Sequence, residues 1–155
     1  MKDFIEGSLG IILAFALYSL LFEISAELVL VINVFTLVLI YLAMKKGEVY
    51  GAVYGCLCGM IQDSFSLGVF GVGGISKTVT GYLAGYVSKK LNIVKFFPSL
   101  LFLIILLFVD LGLWLLLYFF VFSKKIFIFH GVIFIQPLIS AFLGSLVYSL
   151  MNKIR

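Results

Sequence analysis

Hydrophobic residues form six long blocks along this chain, and short polar segments separate them. A helix of about 20 apolar residues crosses a ~30 Å hydrocarbon core, so blocks of this kind predict membrane-spanning helices. The predicted spans are residues 7–22, 28–44, 49–62, 75–88, 96–122 and 126–151. The predicted fold class is all-α, an integral membrane protein with six transmembrane helices in a single membrane domain, residues 1–155.

The third and fourth blocks are short, and glycine is abundant in the segment 64–74 between them. Each block has about 14 residues, which gives a helix of roughly 21 Å. Either these helices extend into 64–74, or the connection enters the membrane under a cover of protein. The sequence leaves both arrangements open, a re-entrant segment and an external loop.

Small residues recur at every fourth position of the third block. Gly51, Gly55, Gly59 and Asp63 share one helix face at this spacing. A face without side chains lets another backbone approach closely, as in small-xxx-small packing between membrane helices. We therefore predict a helix-packing groove or partner contact that ends in a carboxylate.

The fourth block repeats this spacing and begins with a cation. Lys77, Gly81 and Gly85 are four residues apart, and the connection before them contains Gly68 and Gly71. If the two blocks form an antiparallel hairpin, their glycine faces run side by side. We predict that the other hydrophobic blocks pack around this hairpin.

Asp63 and Lys77 would both lie at the turn end of the predicted hairpin. The sequence fits two solvated loop charges, a membrane-buried ion pair that locks the hairpin, or a contact to a ligand or partner. A buried pair is weak evidence for stability but can fix register. We rank pairing slightly ahead of a partner contact, because a lysine so close to the membrane otherwise has no evident reason to be there.

Two further polar residues lie within the last two blocks. Asp110 is near the middle of the fifth, where a charge needs a protein partner or a proton. Gln136, in the sixth block, lies at a similar predicted depth and is the candidate partner. With Ser140, Gly144 and Tyr148, Gln136 also forms a small, polar packing face.

Composition agrees with a membrane protein. The chain is 64% hydrophobic and 12% charged, with a mean hydropathy of +1.28, whereas soluble domains average about 25% charged residues. No basic face or arm lies outside the membrane flanks, which argues against a nucleic-acid partner.

The basic residues predict the orientation. With six spans both termini share one side of the membrane, and eight of the eleven basic residues fall there. They are Lys2, Lys45, Lys46, Lys89, Lys90, Lys95, Lys153 and Arg155. The positive-inside rule then predicts a multi-pass protein of the cell membrane with both termini in the cytoplasm. Lys124 and Lys125 fall on the opposite side. The excess of basic residues on one side fits equally well if the third and fourth blocks form a re-entrant hairpin that does not cross the membrane.

Residues suited to catalysis or metal binding are sparse. His130 is the single histidine, with no second histidine or cysteine near it in the sequence. Cys56 and Cys58 point to different sides of a helix, so we expect neither a shared metal nor a disulfide. Without a nucleophile–base pair, a phosphate loop or a carboxylate cluster, we predict no enzymatic activity and no cofactor.

A longer glycine pattern extends across the predicted hairpin. It reads Gly55-x3-Gly59-x3-Asp63-x4-Gly68-x2-Gly71, followed by an apolar helix with Gly81-Tyr82-Leu83-Ala84-Gly85. This pattern resembles the rod shape-determining protein MreD family of bacteria, and the length and hydropathy fit as well. The chain departs from the family pattern at Gly73-Gly74 and Lys77, where the resemblance implies a more apolar stretch.

The resemblance implies a non-enzymatic scaffold of the elongasome, the machinery that builds lateral peptidoglycan. The implied partners are MreC, RodA with its penicillin-binding transpeptidase, and indirectly the actin-like MreB, in contact with membrane lipid. The family fold is similar to the substrate-binding subunits of energy-coupling-factor transporters. That similarity supplies the alternative, a small-solute-binding subunit with a cavity lined by Asp110, Gln136, Trp114 or His130.

Overall fold

The computed structural model describes residues 2–65, 70–91, 96–122 and 132–154. Within these ranges the chain is helical, which confirms the all-α class. The helices are α1 (Lys2–Ile24), α2 (Ala26–Val31), α3 (Val34–Lys46), α4 (Glu48–Phe65), α5 (Val72–Ser88), α6 (Phe96–Phe122) and α7 (Val132–Ile154). Predictions that concern Gly68, Lys95, Lys124, Lys125, His130 and Arg155 lie outside the described residues.

Helix α3 lies at the centre of the packing and contributes to two buried apolar clusters. One cluster joins Ile40 and Ala43 to side chains of α5, α6 and α7, including Phe102. The other joins Phe35 and Leu39 to α1 and α4. The helix in contact with most of the others is therefore α3, and the hairpin of α4 and α5 packs against it.

The second predicted span, residues 28–44, lies within a stretch long and apolar enough to cross a membrane, but its helix is interrupted between α2 and α3. The Asn33 side chain caps α3 by accepting a hydrogen bond from the Thr36 backbone N–H at 3.2 Å. The Asn33 backbone N–H donates to Ser140 Oγ at 3.0 Å, and that hydroxyl donates to the Val31 carbonyl at 3.3 Å. Backbone groups freed inside a membrane need partners of this kind, so α7 stabilises the break.

The two hairpin helices are longer than predicted, because α4 continues to Phe65 and α5 begins at Val72. At ~1.5 Å per residue they measure roughly 26–27 Å. Gly47, between α3 and α4, has φ +97°, and Gly71, at the start of α5, has φ +102°. Side chains with a Cβ rarely adopt this left-handed region, so glycine permits both reversals of the chain.

Within the described residues, three stretches are long and apolar enough to cross a membrane: Ile5–Ile24, Glu27–Lys46 and Phe96–Val121. The apolar part of α7, Phe134–Leu150, is shorter. Opposite charges meet at one end of the bundle, where Glu6 pairs with Lys45 and Lys46 and Glu48 pairs with Lys89. This lysine-rich end, defined by the five residues just named, joins the beginnings of α1 and α4 to the ends of α3 and α5.

Candidate functional site

The predicted glycine faces of α4 and α5 lie against each other in the structure. A Cβ at Gly55 would collide with the carbonyl oxygen of Lys77, and one at Gly59 with that of Gly73. The contact is reciprocal further along, where a Cβ at Gly51 would meet the Gly81 carbonyl and one at Gly81 the Gly51 carbonyl. The two backbones thus touch directly along the hairpin.

Gly85 extends this contact to the lysine-rich end. A Cβ there would collide with the backbone of Gly47 and Glu48, where α4 begins. Because backbones this close leave no room for side chains, any larger residue on these faces must separate the helices. We call α4 and α5, packed in this way, the glycine hairpin.

Asp63 caps the first turn of α5 from the neighbouring helix. The carboxylate is 6% exposed and accepts hydrogen bonds from the backbone N–H groups of Gly71 at 2.8 Å, Gly73 at 3.0 Å and Gly74 at 3.3 Å. The first N–H groups of a helix lack partners within it, and a negative charge is favourable there. Gly71 has no side chain to act as the cap, so Asp63 supplies one.

Lys77 is almost completely buried, with 3% exposure, and its salt bridge reaches α6. Its Nζ lies 3.1 Å from Asp110 Oδ2. The predicted pairing of Lys77 with Asp63 is therefore wrong in its partner, and the picture of two solvated charges is wrong as well. The turn of the hairpin brings Asp63 to the backbone of α5, while Lys77 points one helix further, into the bundle.

Two hydroxyl groups complete the surroundings of Asp110. Thr36 Oγ1 donates to Asp110 Oδ2 at 2.8 Å, and Ser76 Oγ donates to Oδ1 and, at 3.0 Å, to the Asp110 backbone carbonyl. We call Thr36, Ser76, Lys77 and Asp110 the buried polar cluster, and all four are less than 5% exposed. It joins α3, α5 and α6 at one point, so it fixes the glycine hairpin relative to the rest of the bundle.

A family model described as rod shape-determining protein MreD matches residues 1–154. The chain belongs to the MreD family. This membership implies a role in rod shape determination, and with the three candidate spans it indicates a membrane protein. No curated protein and no solved structure matches the chain.

Gln136 is not the partner of Asp110 in this MreD-family chain, contrary to the prediction from depth. The amide instead lines a cavity of about 330 Å³ beside Asn33 and Gln62. Depth along two helices fixes the height of a side chain but not the direction in which it points. The groups that bind Asp110 come from α3 and α5, whereas the prediction compared only the last two hydrophobic blocks.

The predicted polar face of α7 packs against the break between α2 and α3. Ser140 is fully buried and binds both Asn33 and Val31. A Cβ at Gly144 would come within 2.7 Å of the Leu37 side chain, so this glycine allows α7 to lie close to α3. The face is thus used for packing within the chain.

Of the residues proposed for a solute cavity, the three that the structure describes do not converge. Asp110 is enclosed by its partners, Gln136 lines the cavity beside Asn33, and Trp114 stacks on Tyr118 of its own helix with ring centroids 5.2 Å apart. Across the described ranges, no group of three or more His, Cys, Asp or Glu residues is placed to hold a metal ion. Cys56 is exposed and Cys58 buried, as their spacing on a helix requires.

Sequence reasoning missed Thr36 and Ser76 as members of the buried polar cluster, and it placed Ser140 on a packing face without identifying its partners. Each lies within a hydrophobic block, and hydroxyl groups of this kind commonly bond to other helices or backbone in a membrane. Ser76 directly precedes Lys77, and Thr36 lies three residues after Asn33, which were signals available in the sequence. Which helix faces which could not be read from them.

Proposed function

We propose that this chain is a non-enzymatic scaffold subunit of the bacterial elongation machinery, which supports lateral peptidoglycan synthesis and rod shape. The observation that carries the proposal is the buried polar cluster. Its charged and hydroxyl groups bind one another and leave the side chains of Lys77 and Asp110 buried, so they fix helix positions and do not face a substrate. Family membership supplies the link to rod shape.

The proposed partners are MreC, RodA with its penicillin-binding transpeptidase, and indirectly MreB. A scaffold needs a surface of fixed geometry, and two rigid contacts support one here. The glycine hairpin holds α4 to α5 through their backbones, and the buried polar cluster holds α5 to α3 and α6. The outward faces of α4 and α5, with exposed Val53, Leu57 and Tyr82, remain available to other membrane helices.

We further propose six crossings of the inner membrane with both termini in the cytoplasm. The lysine-rich end then faces the cytoplasm, in agreement with the positive-inside rule. Single cysteines at Ser25 and Lys90, in a variant without Cys56 and Cys58, test this. An impermeant thiol reagent added outside should label position 25 and leave position 90 unlabelled, and the reverse pattern would reject the orientation.

The test of the scaffold function combines shape with binding. In cells that lack the native protein, the wild-type chain should restore rods and co-purify with MreC in mild detergent, whereas Gly55→Leu should do neither. Gly112→Leu is the matched control, because a Cβ at Gly112 would meet no described atom within 4 Å. A purified protein that carried a stoichiometric vitamin-like solute and bound no MreC would instead support the transporter alternative and the similarity to energy-coupling-factor subunits.

A further inference from the structure

An apolar groove runs along α3 between α1 and α7. Both outer helices pack on α3, and the groove between them encloses about 570 Å³, within the ~300–1,000 Å³ typical of small-molecule sites. Leu9, Leu13 and Leu17 of α1 form one wall, and Leu143 and Val147 of α7 form the other. Such a groove suits an aliphatic chain, because it offers apolar contact along its length.

The length of the groove distinguishes a lipid chain from a partner helix. It follows α3 from Val34 to Lys45, a distance of roughly 17 Å at ~1.5 Å per residue. That is close to one leaflet of a ~30 Å hydrocarbon core. A membrane helix of a partner crosses both leaflets and would extend well beyond this groove, whereas a single acyl chain occupies one leaflet.

Among the described residues that line the groove, the charged and hydroxyl-bearing side chains lie at one end. Glu6, Tyr41, Lys45, Ser99 and Tyr148 line this end, which coincides with the lysine-rich end of the bundle. The groove thus offers an apolar body for the chain of an amphiphile and a polar mouth for its headgroup.

The charge at the mouth favours an anionic headgroup. Glu6 accepts from Lys45 Nζ at 3.2 Å and from Lys46 Nζ at 2.7 Å, so two ammonium groups share one carboxylate. An ammonium group has three donors, and the Lys45 side chain is 45% exposed, which leaves it able to bind a further oxygen. A phosphate beside Lys45 would meet a net positive charge, because two ammonium groups surround the single Glu6 carboxylate.

We propose that this groove binds one acyl chain of an anionic phospholipid, with the phosphate of the headgroup at Lys45. The site is distinct from the glycine hairpin and from the buried polar cluster. It would anchor one specific lipid beside α3, the helix on which both apolar clusters are built.

Native mass spectrometry of the full chain in mild detergent, titrated with phosphatidylglycerol or phosphatidylcholine, tests the proposal. Leu13→Trp fills the groove, and Ile12→Trp is the matched control, because the two residues are 59% and 62% exposed and only Leu13 lines it. Wild type and Ile12→Trp should retain one phosphatidylglycerol, and Leu13→Trp should lose it. Val147→Trp fills the groove from α7 and should give the same loss, which guards against a folding defect in one variant.

The charge is tested separately. Lys45→Gln should weaken phosphatidylglycerol binding about fivefold and phosphatidylcholine binding less, because the choline cation offsets the charge of the phosphate that both lipids carry. Lys90→Gln should alter neither. Equal retention by Leu13→Trp and Ile12→Trp would overturn the proposed site. Equal affinity of the wild type for the two lipids would overturn the headgroup assignment, and a photo-crosslink from position 13 to a protein segment would show a partner helix there instead.

Discussion

Two sets of salt bridges in this protein have similar lengths and very different surroundings. Lys77 and Asp110 are 3.1 Å apart with side chains only 3% and 6% exposed, whereas Lys45 and Glu6 are 3.2 Å apart with 45% and 48% exposed. The distance between the charged atoms is therefore uninformative about their importance. What differs is the state that remains when one partner is removed.

At the lysine-rich end, water replaces a lost partner, so exposed pairs of this kind contribute little to stability. In the buried polar cluster, a lost partner leaves a charge inside the bundle, and that state is costly. The buried pair also has two hydroxyl donors on Asp110, from Thr36 and Ser76, that hold the carboxylate in one orientation. We infer that the buried pair determines the position of the glycine hairpin, and that the exposed pairs do not.

The largest effect is expected for Asp110→Asn. The change keeps the shape of the side chain and leaves the Lys77 ammonium buried without a counter-charge, which should cost about 3–5 kcal/mol of unfolding free energy. Unfolding in detergent measures it. Gln136→Leu is the control, since Gln136 is a polar residue of α7 that lies outside the cluster. An equal loss in that variant would show that the buried charge pair has no special importance.

A second large effect is expected for Gly55→Leu in the glycine hairpin. The new side chain would have to displace the Lys77 carbonyl, and overpacking of this kind costs about 1–3 kcal/mol or more. It should also weaken the buried pair, because Lys77 lies on the displaced segment. Thermal unfolding compared with Leu57→Ala measures the loss, and equal melting temperatures would argue against direct backbone contact.

A smaller effect is expected for Asp63→Ala, which removes the cap of α5. Loss of a capping side chain costs about 0.5–2 kcal/mol, and Asp63→Asn should recover part of it by keeping one acceptor oxygen. Hydrogen exchange at Gly73 and Gly74 should increase in Asp63→Ala, while exchange near Gly85 should stay unchanged. Uniform faster exchange along α5 would instead mean that the cap supports the whole helix.

The smallest effect is expected at the partly exposed pair of Glu48 and Lys89. The hydrogen bond from Lys89 lowers the pKa of Glu48 below its ordinary value of 4.5. A lowered carboxyl pKa gives stability that is present above 4.5 and is lost as pH falls through the lowered value. The difference in melting temperature between wild type and Glu48→Gln should therefore be small at pH 7 and disappear in acid. A difference as large as that of Asp110→Asn would contradict the comparison.

The sequence predicted the helical class and the close contact along the hairpin because both depend on local spacing. Glycines four residues apart share a face whatever surrounds them, so Gly51, Gly55 and Gly59 could be placed on one side of α4 in advance. The break between α2 and α3 was missed, because the hydrophobic run continues across it. The groups that stabilise the break are the Asn33 side chain, which caps α3, and the hydroxyl of Ser140, which lies far away in the sequence.

Partners across helices could not be read from spacing. Asp63 and Lys77 are neighbours in the hairpin, and the sequence suggested that they pair, but the first turn of α5 offers Asp63 backbone N–H groups. Lys77 then reaches Asp110, which is 33 residues away in the chain. Side-chain direction depends on how α5 is rotated against α6, and that rotation is a property of the whole bundle.

A double-mutant cycle on Lys77 and Asp110 tests the central claim most directly. The unfolding free energies of wild type, Lys77→Met, Asp110→Leu and the double variant are measured in detergent, and rod shape is scored for each in cells. We expect each single change to cost about 3–5 kcal/mol, the double change to cost less than either, and shape to follow stability. Additive losses, or normal rods in both single variants, would contradict the claim that this buried pair positions the glycine hairpin.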